Sequence, residues 1–336
     1  MDGPVATQAL KGDRAVTKPS SVSIIVTNHN YRQYVAEAIS SALAQTYSAC
    51  EVILIDDASD DGSEEIYSQY AGEMKIITHD RNLGVVATRN EALDQISSDY
   101  FVFLDADDVM PDDYVERMMA VAQDTSADVV YGDFEIIDEA SRATGETVVF
   151  PDFDLSELKR YNFVNMSSLV KRNPHRFDEE LDRRGLSHED WDYFLGLAVD
   201  GRRFEKASDV FLSRRVHGES RNSGVSSAAS FARKVRTINY IFDKYSAART
   251  DFSEGGTVDP FEHLFEDVDG LVRAEYEHRF AVRAGEQARE MEELRGELQA
   301  VLASRSYRIG RLTTGPARYL VDRFRAVGVG GHMIGG

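Results

Sequence analysis

Short apolar runs alternate with helix-forming stretches near the start of the chain, and this alternation is the feature that most constrains the fold. The runs lie at 22–27, 52–55, 75–78 and 101–104, and the first intervening helix is predicted at 31–45. Apolar residues recur there at three- and four-residue spacing, which is typical of helices with one buried face. Near-continuous apolar strands separated by helices indicate a parallel sheet that is buried on both faces. The sequence therefore predicts a doubly wound α/β domain, with a mostly parallel sheet flanked by helices.

Further elements continue this pattern after the fourth apolar run. Helices are predicted at 112–123 and 189–199, and strands at 129–131 and 210–212. Residues 134–137 are interpreted as an antiparallel extension of the sheet.

Composition divides the chain into four predicted parts. Residues 1–20 are polar and are predicted to be a flexible N-terminus, and 21–222 are predicted to form the α/β domain. Residues 223–303 have a helical pattern and form a predicted helical extension, followed by a basic amphipathic tail at 304–336. An apolar seam at 291–302 fits either a homo-oligomer contact or packing onto the α/β domain.

The overall charge and the single cysteine narrow the class of protein. A formal net charge of −20 argues against an unaided nucleic-acid binder, because neutralising phosphates requires a basic surface. The lone cysteine, Cys50, excludes an intramolecular disulfide and fits a reducing cytoplasm. The N-terminus lacks the apolar core of a signal peptide, and no segment has the ~20 apolar residues of a membrane span. We therefore expect a cytoplasmic protein.

The tail reverses the charge of the rest of the chain. Between residues 304 and 325, arginines alternate with apolar and aromatic residues, and Asp322 is the only acidic residue there. A basic amphipathic segment on an acidic protein predicts peripheral contact with an anionic membrane surface, here the inner face of the cell membrane. Docking on the acidic surface of the protein itself explains the pattern equally well.

Polar residues follow three of the predicted strands at the point where each strand ends. They are Thr27 and Asn28, Asp56 and Asp57, and the acidic cluster at 105–108. Open α/β sheets bind ligands outside the carboxyl ends of their strands, so these groups are predicted to line one crevice. Closely spaced carboxylates repel one another unless a cation such as Mg²⁺ or Mn²⁺ binds them. The alternative for the cluster alone is a solvated acidic turn before a helix.

Five stretches in this order resemble a known family of enzymes. They are SVSIIVTNHNYRQYVAEAISSALAQTY, EVILIDDASDDGS, NLGVVATRNEAL, YFVFLDADD and HEDWDYFLGL. Together they resemble the inverting family 2 glycosyltransferases of bacterial type, which have the GT-A fold, and the resemblance covers residues 21–222. It implies a Rossmann-like sheet and a metal-dependent enzyme that transfers a sugar from a nucleoside-diphosphate donor, with UDP-sugar as the expected class, to an acceptor hydroxyl.

The resemblance also implies which residues bind the nucleotide-sugar. Thr27, Asn28 and Asp57 match positions that hold the base and ribose, and a carboxylate can accept from a pyrimidine N–H. Asn82 and Arg89 match the region beside the nucleotide. Arg89 could contact phosphate, hold a carboxylate of the acidic cluster or be purely structural.

The acidic cluster corresponds to the DxD motif of the family. The resemblance gives Asp105 to the donor ribose and to metal-bound water, and Asp107 to a divalent cation, Mn²⁺ or Mg²⁺. Asp108 either orients Asp107 or caps the next helix. His217 matches the Arg-x-His stretch that closes many members, where it would be a third metal ligand or contact the diphosphate. A structural role for this histidine is the alternative.

The catalytic base is expected at the start of the predicted helix at 189–199. The resemblance assigns it to Asp190, which would take the proton of the acceptor hydroxyl. Glu189 is predicted to bind or orient the acceptor, and Trp191 to stack on a sugar face or to pack. Ordinary first-turn electrostatics are the alternative for both acids. His188 and His29 are named only as neighbours of the pocket.

No QxxRW stretch follows Asp190, and in this family that pattern is associated with processive synthases. The expected reaction is therefore non-processive, with a glycan or lipid-linked glycan of the cell envelope as acceptor. Two alternatives stay open. A sugar nucleotidyltransferase would need a Gly-rich, basic phosphate loop after the first strand, which 27–31 does not supply. A non-catalytic module that binds sugar nucleotides and assembles a complex would not need Asp107 and Asp190.

Overall fold

The computed structural model describes residues 19–217 and 228–246. Within these residues, eight strands form one sheet, and eight helices and a 3₁₀ turn accompany it. The strands are β1 Val22–Asn28, β2 Cys50–Asp56, β3 Lys75–Thr78, β4 Tyr100–Asp105, β5 Val129–Ile137, β6 Ala143–Val148, β7 Leu169–Lys171 and β8 Phe204–Arg215. The helices are α1 Val35–Leu43, α2 Glu64–Tyr67, α3 Val85–Gln95, α4 Tyr114–Thr125, α5 Leu155–Leu158, α6 Glu179–Arg183, α7 Glu189–Val199 and α8 Ala228–Ser246.

The first half of the sheet is parallel, as the alternation of strands and helices predicts. The strand order is β3-β2-β1-β4-β7-β5-β6, and β8 pairs with β5. In the register of β1, Thr27 lies between Ile55 and Asp105, and Asn28 lies beside Asp56. The polar strand ends named above therefore share one edge of the sheet.

The second half of the sheet differs from the prediction in one respect. Residues 129–131 and 134–137 belong to the single strand β5, so 134–137 are not a separate strand. The antiparallel pairing expected of 134–137 is made with β6, and β8 pairs with the same residues in parallel. The short strand β7 lies between β4 and β5 and is antiparallel to both, so β5 runs in the same direction as β4. The predicted strand at 210–212 is the middle of the longer strand β8, which is parallel to β5.

Both faces of the sheet are buried, so the domain has two apolar cores. Successive residues of β1 alternate between them: Ile24 and Val26 pack on the side of α1 and α4, and Ile25 packs on the other side. Helices α3, α7 and α8 cover that other side. This double burial explains why the strands are apolar almost without interruption.

Several predicted elements end close to the observed ones. Helix α7 has the predicted bounds, whereas α1 starts four residues later than the predicted helix at 31–45. The predictions for the helical pattern beyond residue 246 and for the tail at 304–336 lie outside the described residues, as do residues 1–18. None of the helices described is long and apolar enough to cross a membrane.

A glycine in the centre of β5 permits the close approach of β8. A Cβ atom at Gly132 would lie 2.5 Å from the backbone oxygen of Val210, and a backbone atom of a paired strand cannot easily move away. We predict that Gly132→Ala lowers the free energy of unfolding by about 1–3 kcal/mol, measured by urea denaturation. Gly72→Ala is the control, because no atom lies within 4 Å of its Cβ position. Equal losses in both variants would contradict this account.

Candidate active site

The polar ends of β1 and β2 form one side of the crevice. The Thr27 hydroxyl donates to Asp105 Oδ1 at 3.1 Å. Asn28 is buried, and its amide nitrogen donates to Asp56 Oδ1 and to the Ser59 hydroxyl. Thr27 and Asn28 thus tie the end of β1 to the ends of both neighbouring strands.

Asp57 is buried directly after β2 and organises the start of α3. Its carboxylate accepts from the backbone N–H groups of Leu83 and Gly84, at 2.7 and 2.9 Å. His79 Nδ1 lies 2.8 Å from the same carboxylate, and His79 Nε2 lies 3.0 Å from Glu91. The sequence analysis missed His79, because a histidine that follows a short strand has no motif around it.

Asn82 and His29 meet beside Asp57. His29 Nδ1 lies 2.7 Å from the backbone oxygen of Asp57, which can only accept, so Nδ1 carries the proton. His29 Nε2 is then the acceptor for the Asn82 amide nitrogen at 2.9 Å. The structure therefore brings His29, Asn82 and Asp57 together, as expected of neighbours in a pocket.

The acidic turn after β4 brings three carboxylates together. Oxygens of Asp105, Asp107 and Asp108 lie within 4.8 Å of one another. Burial and the charges of the other two acids raise the pKa of Asp108 well above its usual value, and burial and the charge of Asp105 raise the pKa of Asp107. Carboxylate oxygens are the ligands that Mg²⁺ and Mn²⁺ prefer, and a cation would relieve this repulsion. The donor set therefore fits a divalent cation, which these residues would hold.

His217 reaches the acidic turn from the segment that follows β8. Its side chain is buried, and Nε2 lies 3.0 Å from Asp107 Oδ2. The ring packs against the rings of Tyr31 and Tyr34, with centroid distances of 5.8 and 5.1 Å. The structure thus places His217 at the predicted cation ligand, where it can orient Asp107 or contribute a nitrogen ligand.

Arg215, the last residue of β8, holds the acidic turn in place. The sequence analysis did not identify this role. The Arg215 side chain is fully buried, with Nε donating to the backbone oxygen of Asp107 at 2.8 Å and NH2 donating to Glu37 at 2.7 Å. Its backbone N–H donates to Asp108 Oδ1 at 2.9 Å. The end of β8 therefore determines the conformation of a turn more than a hundred residues earlier in the chain.

Arg89 joins the acidic turn to the start of α7. The buried guanidinium donates from NH1 to Glu189 Oε1 at 2.9 Å and from NH2 to Asp105 Oδ1 at 3.3 Å. It also lies over the rings of Phe103 and Phe177, at 5.8 and 5.7 Å from their centroids. Of the three predicted roles for Arg89, the structure has the one in which it holds a carboxylate of the acidic cluster.

Asp190 follows Glu189 and has the environment of a proton acceptor. Its Oδ1 accepts from the backbone N–H of Trp191 at 2.8 Å, and its Oδ2 accepts from the Asn162 amide at 2.9 Å. Burial and the charge of Glu189 raise the pKa of Asp190 to about 6, although the charge of Arg89 acts in the opposite direction. Asn162 lies in a stretch without any recognisable motif, and the sequence analysis missed it.

Trp191 packs in the core below the crevice. It is only 3% exposed, and its indole N–H donates to the backbone oxygen of Leu158 at 2.6 Å. Of the two predicted roles, stacking on a sugar or packing, the structure has the second, because the ring presents no free face to the crevice.

Comparisons with known proteins identify the family of the chain. The family profile described as glycosyl transferase family 2 matches residues 23–178. A Haemophilus influenzae protein described as an uncharacterized glycosyltransferase is 30% identical over 228 residues, which are 66% of this chain and 88% of that protein. The chain belongs to glycosyltransferase family 2. Another family relative, glycosyltransferase GlyG of Streptococcus pneumoniae, is 27% identical over 147 residues, or 43% of this chain, and the match spans about half of GlyG (49%).

Solved structures confirm the GT-A fold of this family 2 chain. S. aureus TarS residues 1–349 in complex with UDP-GlcNAc has a TM-score of 0.57 at 19% identity, over 84% of this chain and 81% of that one. The mannosyltransferase PcManGT from Pyrobaculum calidifontis, in complex with GDP-Man and Mn²⁺, has a TM-score of 0.50 at 17% identity, over 93% and 81% of the two chains.

The acidic turn generates a prediction about metal binding. Replacing Asp107 by Asn removes one carboxylate of the cluster, and we expect Mn²⁺ affinity to fall about 10–100-fold, measured by calorimetry. Asp113→Asn is the matched control, because Asp113 is an exposed acid just outside the cluster. Unchanged Mn²⁺ affinity in Asp107→Asn, or an equal loss in Asp113→Asn, would refute the assignment.

Proposed function

We propose that this family 2 protein transfers a sugar from a nucleoside-diphosphate donor, of the UDP-sugar class, to an acceptor hydroxyl with inversion at the anomeric carbon. The observation that carries the proposal is the Arg89 bridge, which contacts Asp105 and Glu189 at the same time. This bridge joins the acidic turn to the start of α7, where Asp190 follows Glu189, and so supports one site that uses both regions. A divalent cation site and a general base are the two groups that a single displacement of this kind requires.

The donor is proposed to lie along the ends of β1, β2 and β4. Thr27, Asn28, Asp57, Asn82 and Asp105 line this edge and are the proposed nucleotide-sugar contacts. The UDP-GlcNAc bound to TarS, a protein of the same fold, supports a UDP-sugar.

Asp190 is the proposed base. A carboxyl with a pKa of about 6 is about nine-tenths ionised at pH 7, and it is a stronger base than an ordinary aspartate. As the acceptor oxygen forms its bond to the anomeric carbon, Asp190 takes the hydroxyl proton. The bond from that carbon to the diphosphate oxygen breaks, and its electron pair leaves with the nucleoside diphosphate.

The acidic turn and its supports serve the departure of the diphosphate. Asp105, Asp107 and Asp108 would hold Mn²⁺ or Mg²⁺, which supplies positive charge to the leaving diphosphate when bound. His217 is proposed as a further ligand or as the group that orients Asp107. The Mn²⁺ in the structure of PcManGT, a protein of the same fold, supports a divalent cation.

We also propose a class of acceptor and a cellular location. Glu189 is the proposed acceptor contact through the carboxylate oxygen that Arg89 does not bind. The acceptor is proposed to be a glycan or lipid-linked glycan of the cell envelope, extended in a non-processive reaction. We further propose a cytoplasmic protein, with peripheral membrane contact through residues 304–325 and homo-oligomer contact through its C-terminal helical region.

The first experiment tests the reaction and the base. Purified protein, Mn²⁺ and a panel of sugar nucleotides are expected to release a nucleoside diphosphate in the presence of envelope glycan acceptors. Replacing Asp190 by Asn removes the proton acceptor, so we expect kcat to fall about 10²–10⁴-fold while donor affinity stays within about twofold. Asp200→Asn, at the exposed end of α7, is the control and is expected to retain full activity.

Either of two results would contradict the proposed function. One is the absence of metal-dependent binding of any sugar nucleotide. The other is turnover in Asp190→Asn equal to that of the unchanged protein. Donor binding without any transfer would favour a non-catalytic module.

The raised pKa of Asp190 generates a second prediction. The base must be ionised, so kcat at saturating donor and Mn²⁺ is expected to rise about tenfold per pH unit below pH 6 and to level off above pH 7. A profile that is flat between pH 5 and 8, with the protein folded throughout, would exclude Asp190 as the group that limits the rate.

A further inference from the structure

We propose that α8 positions the base, because it holds the segment that leads into Asp190. The inference rests on the proposed function of Asp190. Helix α8 lies outside the residues 23–178 that match the family profile, and no residue of α8 belongs to the motifs of the crevice.

The contacts of α8 begin with close apolar packing against α7. Val235, Ile238 and Ile241 of α8 are buried in the core that also contains α7. A Cβ atom at Gly196, in the middle of α7, would lie 2.8 Å from the Tyr245 hydroxyl oxygen. That hydroxyl donates to the backbone oxygen of Asp192 at 2.8 Å. A larger residue at position 196 would therefore require the Tyr245 side chain to shift from this hydrogen bond.

Ion pairs and hydrogen bonds from α8 to the starts of α6 and α7 add to this packing. Lys244 Nζ lies 2.8 Å from both carboxylate oxygens of Asp192 and 2.9 Å from Asp178 Oδ2. The Tyr240 hydroxyl donates to the same Asp178 oxygen at 2.7 Å. Asp192 is almost fully buried, and Asp178 caps the N-terminus of α6. One lysine of α8 thus ties together the first turns of α6 and α7.

Thr237 extends the contacts of α8 to the residues immediately before the base. It is fully buried, its hydroxyl donates to the backbone oxygen of Arg233, and its oxygen accepts from the Ser187 backbone N–H at 3.1 Å. The Ser187 hydroxyl lies 2.8 Å from His188 Nδ1. The Thr237 hydroxyl therefore both donates and accepts a hydrogen bond. The bond that it accepts from Ser187 fixes the backbone of the residues before Asp190.

The conformation held in this way is an uncommon one. His188 has φ 62° and ψ 42°, in the left-handed region that residues other than glycine seldom occupy because it is sterically unfavourable. It sets the direction in which Glu189 and Asp190 enter α7. Because tertiary contacts must offset the cost, loss of the Thr237 bond is expected to release this turn and to displace Asp190.

The inference predicts a loss of turnover without a loss of donor binding. Thr237 contacts none of the proposed donor or cation residues. In the full-length protein we expect Thr237→Val, which keeps the shape but removes the acceptor oxygen, to lower kcat about tenfold. Donor affinity in the presence of Mn²⁺ is expected to stay within about twofold. Thr237→Ser retains the hydroxyl and is expected to stay within about threefold of full activity.

A second readout is independent of activity. Hydrogen exchange of a peptide covering 185–192 is expected to be faster in Thr237→Val than in the unchanged protein, and exchange of a peptide covering 101–108 is expected to be equal in both. Lys244→Met removes the ion pairs of α8 with Asp178 and Asp192, and it is expected to show the same faster exchange over 185–192 and equal exchange over 101–108. This variant replaces Thr237→Val in the experiment if Thr237→Val does not fold.

Three results would overturn the inference. They are unchanged kcat in both folded variants, an equal loss of donor affinity and kcat, and unchanged exchange over 185–192. If the unchanged protein transfers no sugar from any donor, the proposed function fails, and the exchange experiment still decides whether α8 holds this loop.

Discussion

The site depends on one buried cation shared between two carboxylates. Arg89 lies between Asp105 at the end of β4 and Glu189 at the start of α7, with its guanidinium enclosed by aromatic rings. Burial alone would lower the pKa of Arg89, but the charges of Asp105, Glu189 and Asp190 raise it above its usual value. Removing either carboxylate would leave the buried guanidinium with less compensation for its charge. The same contacts therefore stabilise the fold and keep the acidic turn adjacent to the start of α7.

Around this bridge, the functional groups are held mainly by distant parts of the chain. The parallel register of β1, β2 and β4 aligns the polar strand ends, and Arg215 supports the acidic turn from β8. On the other side, the Asn162 amide contacts Asp190, and α8 holds the loop before it. Rigid elements thus position the acidic turn and Asp190, the proposed base, and such preorganisation is what electrostatic catalysis requires.

The sequence predicted the structure best where an apolar run is followed directly by polar residues. Apolar runs that end in polar residues predicted the acidic cluster at 105–108 and the parallel arrangement of the first four strands. The bounds of α7 were also predicted. The antiparallel pairing expected at 134–137 is made with β6, but these residues continue β5 and do not form a separate strand. Strand β7 was missed because its three residues are too few for a periodic signal, yet it separates β4 from β5. The roles of Asn162, Arg215 and Thr237 depend on contacts between distant segments and have no local pattern. The packing of Trp191 was likewise undecided, because the sequence does not show which face of α7 is buried.

The central claim is that Asp190, held opposite the acidic turn, assists a single displacement at the anomeric carbon. Its most direct test is the configuration of the first product, with water as the acceptor and any sugar nucleotide that the protein cleaves as the donor. Proton NMR recorded before mutarotation reports the anomer that is released. The account predicts the anomer opposite to that of the donor. Release of the same anomer as in the donor would require two displacements or a different mechanism, and would contradict it.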